Sequence, residues 1–475
     1  SRKPIQNAAY MKHEFVNRSG NRRLLLIFAG WGMDANPFRH VSRPGYDVLV
    51  VWDYRDLSPD WTIVAGYDEI VLIAWSMGVY AASMTIHSID HLITARIAVN
   101  GTMTPVDNLR GIPEAVFEGT ASSLDDRNLR KFFRRMCGDR ETTDRFMSAA
   151  PSRGIGELVE ELRAIYPEPW FANPKVTSWD RAVIGSRDAI FPPCNQQRAW
   201  QGTPIVVLDR PHYVDLQEIA DAYIIDKERA AGRFDARRDT YEANTPIQQT
   251  IVDELIADVY RSNIHRRLSR PATACLEIGC GTGSLSRRLA ALVPDGFLYF
   301  WDIGSNGPQG VDCTRFTSCD AELQICRTHA ERFDVIASAS TIQWFNSPRR
   351  FLAECYRVLR PGGLLLLTAF TRGNMHELTA AGATSLNLPD EQCWLSMMPR
   401  GFEILSWTPV DYDMVFDEPV DVMRHLRLSG VNGLDRNSRP VSGHALVRRY
   451  PRMLDGRCHL TYRTLRMILK KPDNV

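Results

Sequence analysis

Residues 72–83 read LIAWSMGVYAAS. An apolar run ends at Trp75, Ser76 follows, and Met77, Gly78 and a set of small residues (Ala81, Ala82, Ser83) come next. This is the pattern of a buried strand that turns sharply into a helix with a serine at the turn. A serine in that turn is strained, so its neighbours two before and two after must be small. Gly78 meets the requirement, and Ala74 meets it with alanine where glycine is usual. Ser76 is a candidate nucleophile. A small-x-Ser-x-Gly match arises easily in 475 residues, so the reading depends on partners elsewhere in the chain.

Outward from this stretch, Leu24–Gly30, Asp47–Tyr54, Ile70–Trp75, Arg96–Asn100, Arg181–Gly185 and Pro204–Leu208 read as strands. Amphipathic or loop segments separate them, which predicts a parallel sheet covered by helices. Residues 105–178 break the rhythm with a polar, helical insertion. It carries a basic face at Arg130, Lys131, Arg134 and Arg135, extended by Arg140. Asp188 follows the strand Arg181–Gly185, and His212 follows the strand Pro204–Leu208. The order serine, acid, histidine, each at a strand's carboxyl end, is the order a serine hydrolase of this layout needs. His13, His40, His87 and His91 occupy no such slot. His212 would take the proton of Ser76 and later return it to the leaving alcohol, while Asp188 holds the imidazole. A developing oxyanion needs two donors. They are the N–H of Met77 and, from the loop FAGWGMD (28–34), the N–H of Trp31, with Gly30 and Gly32 letting the backbone come close.

FAGWGMD, AWSMG (74–78), SRDAIFPPCNQQRAW (186–200) and PHY (211–213) together resemble the BioG-type pimeloyl-ACP methyl ester esterases. These are α/β-hydrolases of biotin synthesis, and the resemblance runs from residue 11 to about 225. It implies Ser76, Asp188 and His212 as the triad and an ester carried on acyl carrier protein as substrate. It also implies that the basic lid face, Arg130, Lys131, Arg134 and Arg135, meets the acidic carrier.

Around 226–240, DKERAAGRFDARRDT is charged and lacks apolar periodicity, so the domain boundary is expected there, with domains at 11–228 and 229–475. Thr245-Pro246 with Gln248 predicts a helix start with a capping box, and Ile247, Ile251, Leu255 and Val259 form its apolar stripe. Strand Ala274–Ile278 then leads into the glycine loop of CLEIGCGTGSLSRRL (275–289) and a helix. Glycines in such a loop bring the backbone close to a ligand at a helix N-terminus. Strand Phe297–Ile303 ends by Asp302, positioned for ribose hydroxyls. Strand Phe333–Ala337, helix Arg349–Leu359 and strand Leu364–Thr368 complete a second α/β, Rossmann-like alternation.

Glu277, Gly279, Gly281 and Gly283 resemble the first motif of class I S-adenosylmethionine methyltransferases. Asp320-Ala321 is similar to the motif whose aspartate faces adenine. Residues 233–475 resemble the BioC-type malonyl-ACP methyltransferases through RFDARRDTYE, TIQWF, TRGNMHEL, MRHLRLSGVNG and HLTYR. The resemblance implies S-adenosylmethionine as cofactor and methylation of the free carboxyl of a malonyl thioester on the carrier. Gln343, Trp344 and Tyr241 are the acceptor-site candidates, with Arg372 and His376 placed near them by position.

One half makes a methyl ester and the other removes one. Together they avoid futility if the esterase rejects the three-carbon ester and accepts the seven-carbon one. Four methylenes at about 0.8 kcal/mol each are worth about a hundredfold. The alternative is a methyltransferase and esterase pair acting on free small acids and esters.

Composition is that of a globular chain, 44% hydrophobic and 24% charged with a formal net charge of +1, so bulk charge points to no nucleic acid. No apolar run suits a membrane span, and the cytoplasm is the expected location. Ten cysteines form no CxxC pair and no metal site is expected. The residues SRKPIQNAAY (1–10) precede Met11 and read as a vector-derived leader outside the fold.

Overall fold

The computed structural model describes residues 11–166, 174–236, 238–383, 388–429 and 443–473. The leader reading of residues 1–10, part of the 105–178 insertion (167–173), Arg237, and residues 430–433 of MRHLRLSGVNG lie outside the described residues. The chain divides into two compact units, Ser1–Ile224 and Ile225–Val475.

The N-terminal unit is built on a seven-stranded sheet, β1 (Lys12–Asn17), β2 (Arg23–Phe28), β3 (Tyr46–Trp52), β4 (Glu69–Trp75), β5 (Ile93–Val99), β6 (Arg181–Gly185) and β7 (Ile205–Leu208). The strand order is β1-β3-β2-β4-β5-β6-β7. All neighbours are parallel except β1, which runs antiparallel to β3. β3, β4 and β5 are buried along their whole length, which is why they read as continuous apolar runs rather than as alternation. β1 escapes the sequence reading because KHEFVN lies at the sheet edge and is only half covered. Among the described residues, four helices occupy the insertion between β5 and β6: Glu114–Ser122, Asp126–Cys137, Arg140–Met147 and Ile155–Ile165. Asp125 and Asp139 cap the second and third by accepting from the N–H of Asn128 and Thr142.

The C-terminal unit has its own seven-stranded sheet, β8 (Ala274–Ile278), β9 (Phe297–Asp302), β10 (Phe316–Ser318), β11 (Phe333–Ala339), β12 (Leu359–Phe370), β13 (Glu403–Phe416) and β14 (Cys458–Lys470). The order is β10-β9-β8-β11-β12-β14-β13, with β14 antiparallel to both its neighbours. The chain moves outward on both sides of β8, so the loop after β8 lies at a topological switch point, where open α/β sheets bind ligands. The charged stretch at the expected domain boundary contains a helix, Lys227–Asp235, capped by Asp226, and its apolar residues Ala230, Ala231 and Phe234 face a cavity of this unit. Three apolar residues in nine are too few to show a period, yet enough to seal one wall. The capping box at Thr245 does not form. The Thr245 hydroxyl donates back to the carbonyl of Tyr241, because a short helix, Arg238–Tyr241, supplies that acceptor first.

The turn at Ser76 rests on two glycines. A Cβ at Gly78 would lie 2.4 Å from the carbonyl oxygen of Phe28 on β2, and one at Gly101 would lie 2.2 Å from the carbonyl oxygen of Ser76. Neither contact is relieved by rotating a side chain. The Gly78→Ala variant is expected to lose about 1–3 kcal/mol of stability in the N-terminal unit. The measurement is hydrogen exchange, with faster exchange along β2 and β4 and unchanged exchange along β8.

Candidate active sites

Ser76 sits between β4 and the helix Met77–Thr85 with φ 59° and ψ −127°, in the region L-residues rarely adopt. His212 follows β7, and its Nε2 lies 3.0 Å from the Ser76 Oγ. Its Nδ1 lies 2.9 Å from Asp188 Oδ2. All three side chains are buried. Asp188 accepts at Oδ1 from the N–H of Ile190 and Phe191, and at Oδ2 from the amide of Gln196. Four donors, the imidazole included, therefore converge on one buried carboxyl group and satisfy its oxygens. The imidazole ring stacks on Phe191 at 5.9 Å and an interplanar angle of 6°. The main chain of the histidine loop is held from beneath. Trp75 Nε1 and Asn100 Nδ2 both donate to the His212 carbonyl, and Asn100 also accepts from Gly185 N–H. Gln196 and Asn100 escape the sequence reading. An amide in a helix and an asparagine after a strand carry no pattern until the fold brings them under the acid and the base.

A cavity of about 540 Å³, counted with its open mouth, surrounds Ser76. Gly30, Trp31, Met77 and His212 form its floor, and Ile112, Val116, Phe117, Phe132 and Leu162 give it apolar walls. As the first residue of its helix, Met77 has an N–H with no intrahelical acceptor. Trp31 lines the same cavity, and its indole N–H is bonded to the Leu158 carbonyl of the insertion. The basic face lies on the helix Asp126–Cys137. Arg130, Lys131, Arg134 and Arg135 are all exposed. Arg135 differs from the others. Its guanidinium donates twice to the carbonyl of Ala189, next to Asp188, and it lines the mouth of the cavity.

The C-terminal unit holds a larger cavity, about 1350 Å³ with its mouth, over the carboxyl ends of β8, β9 and β11. Glu277, Gly279, Gly281, Asp302, Asp320 and Ala321 line it. Gly279 has φ 72°, and a Cβ there would strike Thr341 at 2.1 Å. Gly281 has φ 47° with open space where a side chain would go, the cradle a close-lying ligand needs. Gly283, at φ 103°, caps the helix Ser284–Leu292. It is not part of the cavity wall, and a Cβ there would meet the backbone of Gln309. Asp302 accepts from the N–H of Gly281 at 2.8 Å and of Gly304 at 2.7 Å, which leaves lone pairs on both oxygens for hydroxyl donors. Burial pushes the Glu277 carboxyl up to about 8, with Asp302 adding to the shift, against a hydrogen bond from Ser286.

Asp320 caps the helix Ala321–Cys326 through Glu322 N–H and also holds the ammonium of Lys227 at 2.7 and 2.9 Å. Lys227 reaches Glu322 as well. Neither Lys227 nor Glu322 is evident from sequence, since both lie in unremarkable charged stretches. Of the acceptor candidates, Trp344 and Tyr241 line the cavity and Gln343 does not. Gln343 turns its amide back onto the Ser340 carbonyl at 2.7 Å, inside the short turn Ile342–Trp344. Phe234 packs edge-on against both Tyr241 and Trp344, and burial pushes the Tyr241 phenol up to about 12. Arg372 pairs with Asp390 and His376 with Glu377, and both lie away from the cavity wall. Among the described residues, no group of three or more His, Cys, Asp or Glu could hold a metal ion, and no helix is long and apolar enough to cross a membrane.

Residues 11–217 match the family described as pimeloyl-ACP methyl esterase BioG, and residues 276–367 match a methyltransferase domain family. The chain is 33% identical over 463 residues to a malonyl-[acyl-carrier protein] O-methyltransferase of Bacteroides fragilis, covering 95% of this chain and 93% of that protein. A malonyl-[acyl-carrier protein] O-methyltransferase of Haemophilus ducreyi is 28% identical over 230 residues, 46% of this chain and 85% of the relative. A crystal structure of BioG from Haemophilus influenzae is 34% identical, covering 44% of this chain and 96% of that one, with a TM-score of 0.40. S-adenosylmethionine is the cofactor of the C-terminal unit, and the glycine cradle with its acidic surround fits a cationic, hydroxyl-bearing ligand. The chain belongs to the malonyl-[acyl-carrier protein] O-methyltransferase family, in the form that joins a BioG domain to a BioC-type methyltransferase domain.

Proposed function

We propose that the chain is a bifunctional enzyme of biotin synthesis acting on groups carried by acyl carrier protein in the cytoplasm. Its C-terminal domain methylates the free carboxyl of malonyl-ACP. Its N-terminal domain, an α/β-hydrolase, removes the methyl group from pimeloyl-ACP methyl ester and releases methanol. The observation that carries the esterase reading is the buried relay Ser76–His212–Asp188 at 3.0 and 2.9 Å, opening into an apolar cavity.

In the hydrolytic half, His212 Nε2 takes the Ser76 proton as Oγ attacks the ester carbonyl. The N–H groups of Met77 and Trp31 receive the oxyanion. Collapse expels the methoxy group, which takes the proton back from His212 and leaves as methanol. A water, deprotonated by His212, then cleaves the acyl-enzyme and regenerates Ser76. The apolar walls at Ile112, Val116, Phe117 and Phe132 suit a seven-carbon chain reaching inward from the carrier. The exposed Arg130, Lys131 and Arg134 suit the acidic carrier outside, and Arg135 marks the entrance.

In the methylating half, the bound cofactor supplies an electrophilic methyl group on a sulfonium. The acceptor carboxylate is already ionised near neutral pH, so no general base is needed. The task of the residues is orientation and exclusion of water. Tyr241, Phe234 and Trp344 form an aromatic wall suited to that. Asp302 suits the ribose hydroxyls, and Glu277 suits a cationic part of the cofactor.

Mass spectrometry of the carrier tests the whole reading. Malonyl-ACP with cofactor is expected to gain one methyl group, and pimeloyl-ACP methyl ester to lose one. Methylation of free malonate with the carrier form untouched would instead favour small-molecule substrates. Ser76→Ala is expected to lower ester hydrolysis by at least about a thousandfold and leave methylation intact. Retained hydrolysis would refute the serine's role. Gln196→Ala removes one of four donors from Asp188 and is expected to lower kcat by about tenfold to a hundredfold, with KM for the ester little changed.

A pH dependence follows from Glu277. With its pKa raised to about 8, the free site holds this carboxyl protonated at neutral pH. A cationic ligand favours the ionised form, so binding releases a proton. Affinity for S-adenosylhomocysteine, whose ammonium remains, is therefore expected to rise with pH and level off above about 8. Calorimetry in buffers of different ionisation enthalpy reads the released proton directly. Glu277→Gln should abolish the buffer dependence.

A further inference from the structure

The wall of the cofactor cavity carries four carboxyl side chains, Asp235, Glu277, Asp302 and Asp320, against two cations, Lys227 and Arg238. The acidic excess suits the ammonium and sulfonium of the cofactor. It is hostile to carboxylates, and this reaction has two of them: the α-carboxylate at the methionine end of the cofactor, and the carboxylate that accepts the methyl group. A carboxylate brought out of water next to four acidic groups needs a cation that is still available.

Lys227 is not available in this sense. Its ammonium lies 2.7 and 2.9 Å from the two oxygens of Asp320 and also reaches Glu322. Arg238 differs. Its Nη2 donates to the backbone carbonyl of Gly307, and among the described residues no carboxylate pairs with it. It is partly buried, lies one helical turn before Tyr241, and shares the cavity wall with it. A guanidinium with one N–H tied to the main chain is oriented and keeps further donors in a planar fork, the geometry that takes a carboxylate in bidentate fashion.

We propose that Arg238 is the carboxylate-binding residue of this cavity, positioning a ligand carboxylate beside the aromatic wall. The carboxylate comes either from the cofactor or from the acceptor. The second source rests on the carboxyl-methylation reading given above, and the first does not.

The test uses the full chain and its Arg238→Gln and Arg238→Lys variants. Calorimetric titration with S-adenosylhomocysteine is compared with titration by the analogue that lacks only the α-carboxyl group, and KM for malonyl-ACP is measured in parallel. If Arg238 holds the cofactor carboxylate, Arg238→Gln weakens S-adenosylhomocysteine by about tenfold or more and leaves the analogue unchanged, with Arg238→Lys between. If it holds the acceptor carboxylate, both nucleoside ligands bind as before and KM for malonyl-ACP rises by about tenfold or more. Changes within about twofold in all three quantities overturn the proposal. So does equal weakening of S-adenosylhomocysteine and the analogue, which marks a residue that only shapes the wall. Should the parent chain methylate no malonyl-ACP, the substrate reading falls. The calorimetric arm then decides alone, and an unchanged affinity for S-adenosylhomocysteine overturns the carboxylate site.

Discussion

A backbone that leaves a buried parallel strand must find partners for its polar groups at once, and it has only a few residues in which to turn. At the end of β4 this forces Ser76 to φ 59°, with Gly78 pressed against β2 and Gly101 against the Ser76 carbonyl. Asp53 after β3 and Asn100 after β5 also have positive φ. In the C-terminal unit the same constraint falls on Gly279, Gly281 and Gly283 after β8. Strain of this kind persists only where the surroundings over-determine it. Here the surroundings are the buried sheets. Each sheet fixes the ends of its strands, and the residues at those ends form the two sites.

The two sites use charge in opposite ways. The N-terminal site encloses one carboxylate, Asp188, and satisfies it with two backbone N–H groups, one amide and one imidazole. It is complete without a ligand. The C-terminal cavity gathers four acidic side chains and two cations, and burial beside Asp302 raises one of the acids, Glu277, to a pKa of about 8. This is a site left electrostatically open, and a cationic cofactor closes it. The difference follows from the chemistry. On the proposed function, the N-terminal site needs its relay assembled before substrate arrives, whereas a transferase can leave part of its charge balance to the cofactor.

Much of this was readable in sequence where a residue type is tied to a backbone requirement. The glycines of the β8 loop, the strand-turn-helix around Ser76, and the placement of Asp188 and His212 after strands all follow from local patterns. The reading ran short where function depends on a side chain's direction rather than its position. Gln343 and Trp344 are adjacent, yet the short turn at Ile342–Trp344 sends one amide into the backbone and the other ring into the cavity. The helix Lys227–Asp235 carries no readable period, because a surface that closes a cavity needs few apolar residues and the rest of this helix is mostly charged. In sequence Arg135 is one of four equivalent basic residues, whereas in the structure its guanidinium donates to the Ala189 carbonyl.

The sequence by itself determined the two α/β units, the positions of the candidate nucleophile, acid and base, and the glycine loop. Those features depend on hydrophobic periodicity and on backbone conformations that only certain residues tolerate, and both are local. Only the tertiary structure decided which groups support them: Gln196 under Asp188, Asn100 and Trp75 under the His212 loop, Lys227 on Asp320, and Arg238, in an acidic wall yet with no carboxylate partner among the described residues. These assignments join residues far apart in the chain, and they depend on side-chain reach and burial. Hydrogen-bond and ion-pair partners are chosen by proximity in a low-dielectric interior, and proximity exists only once the sheets have formed.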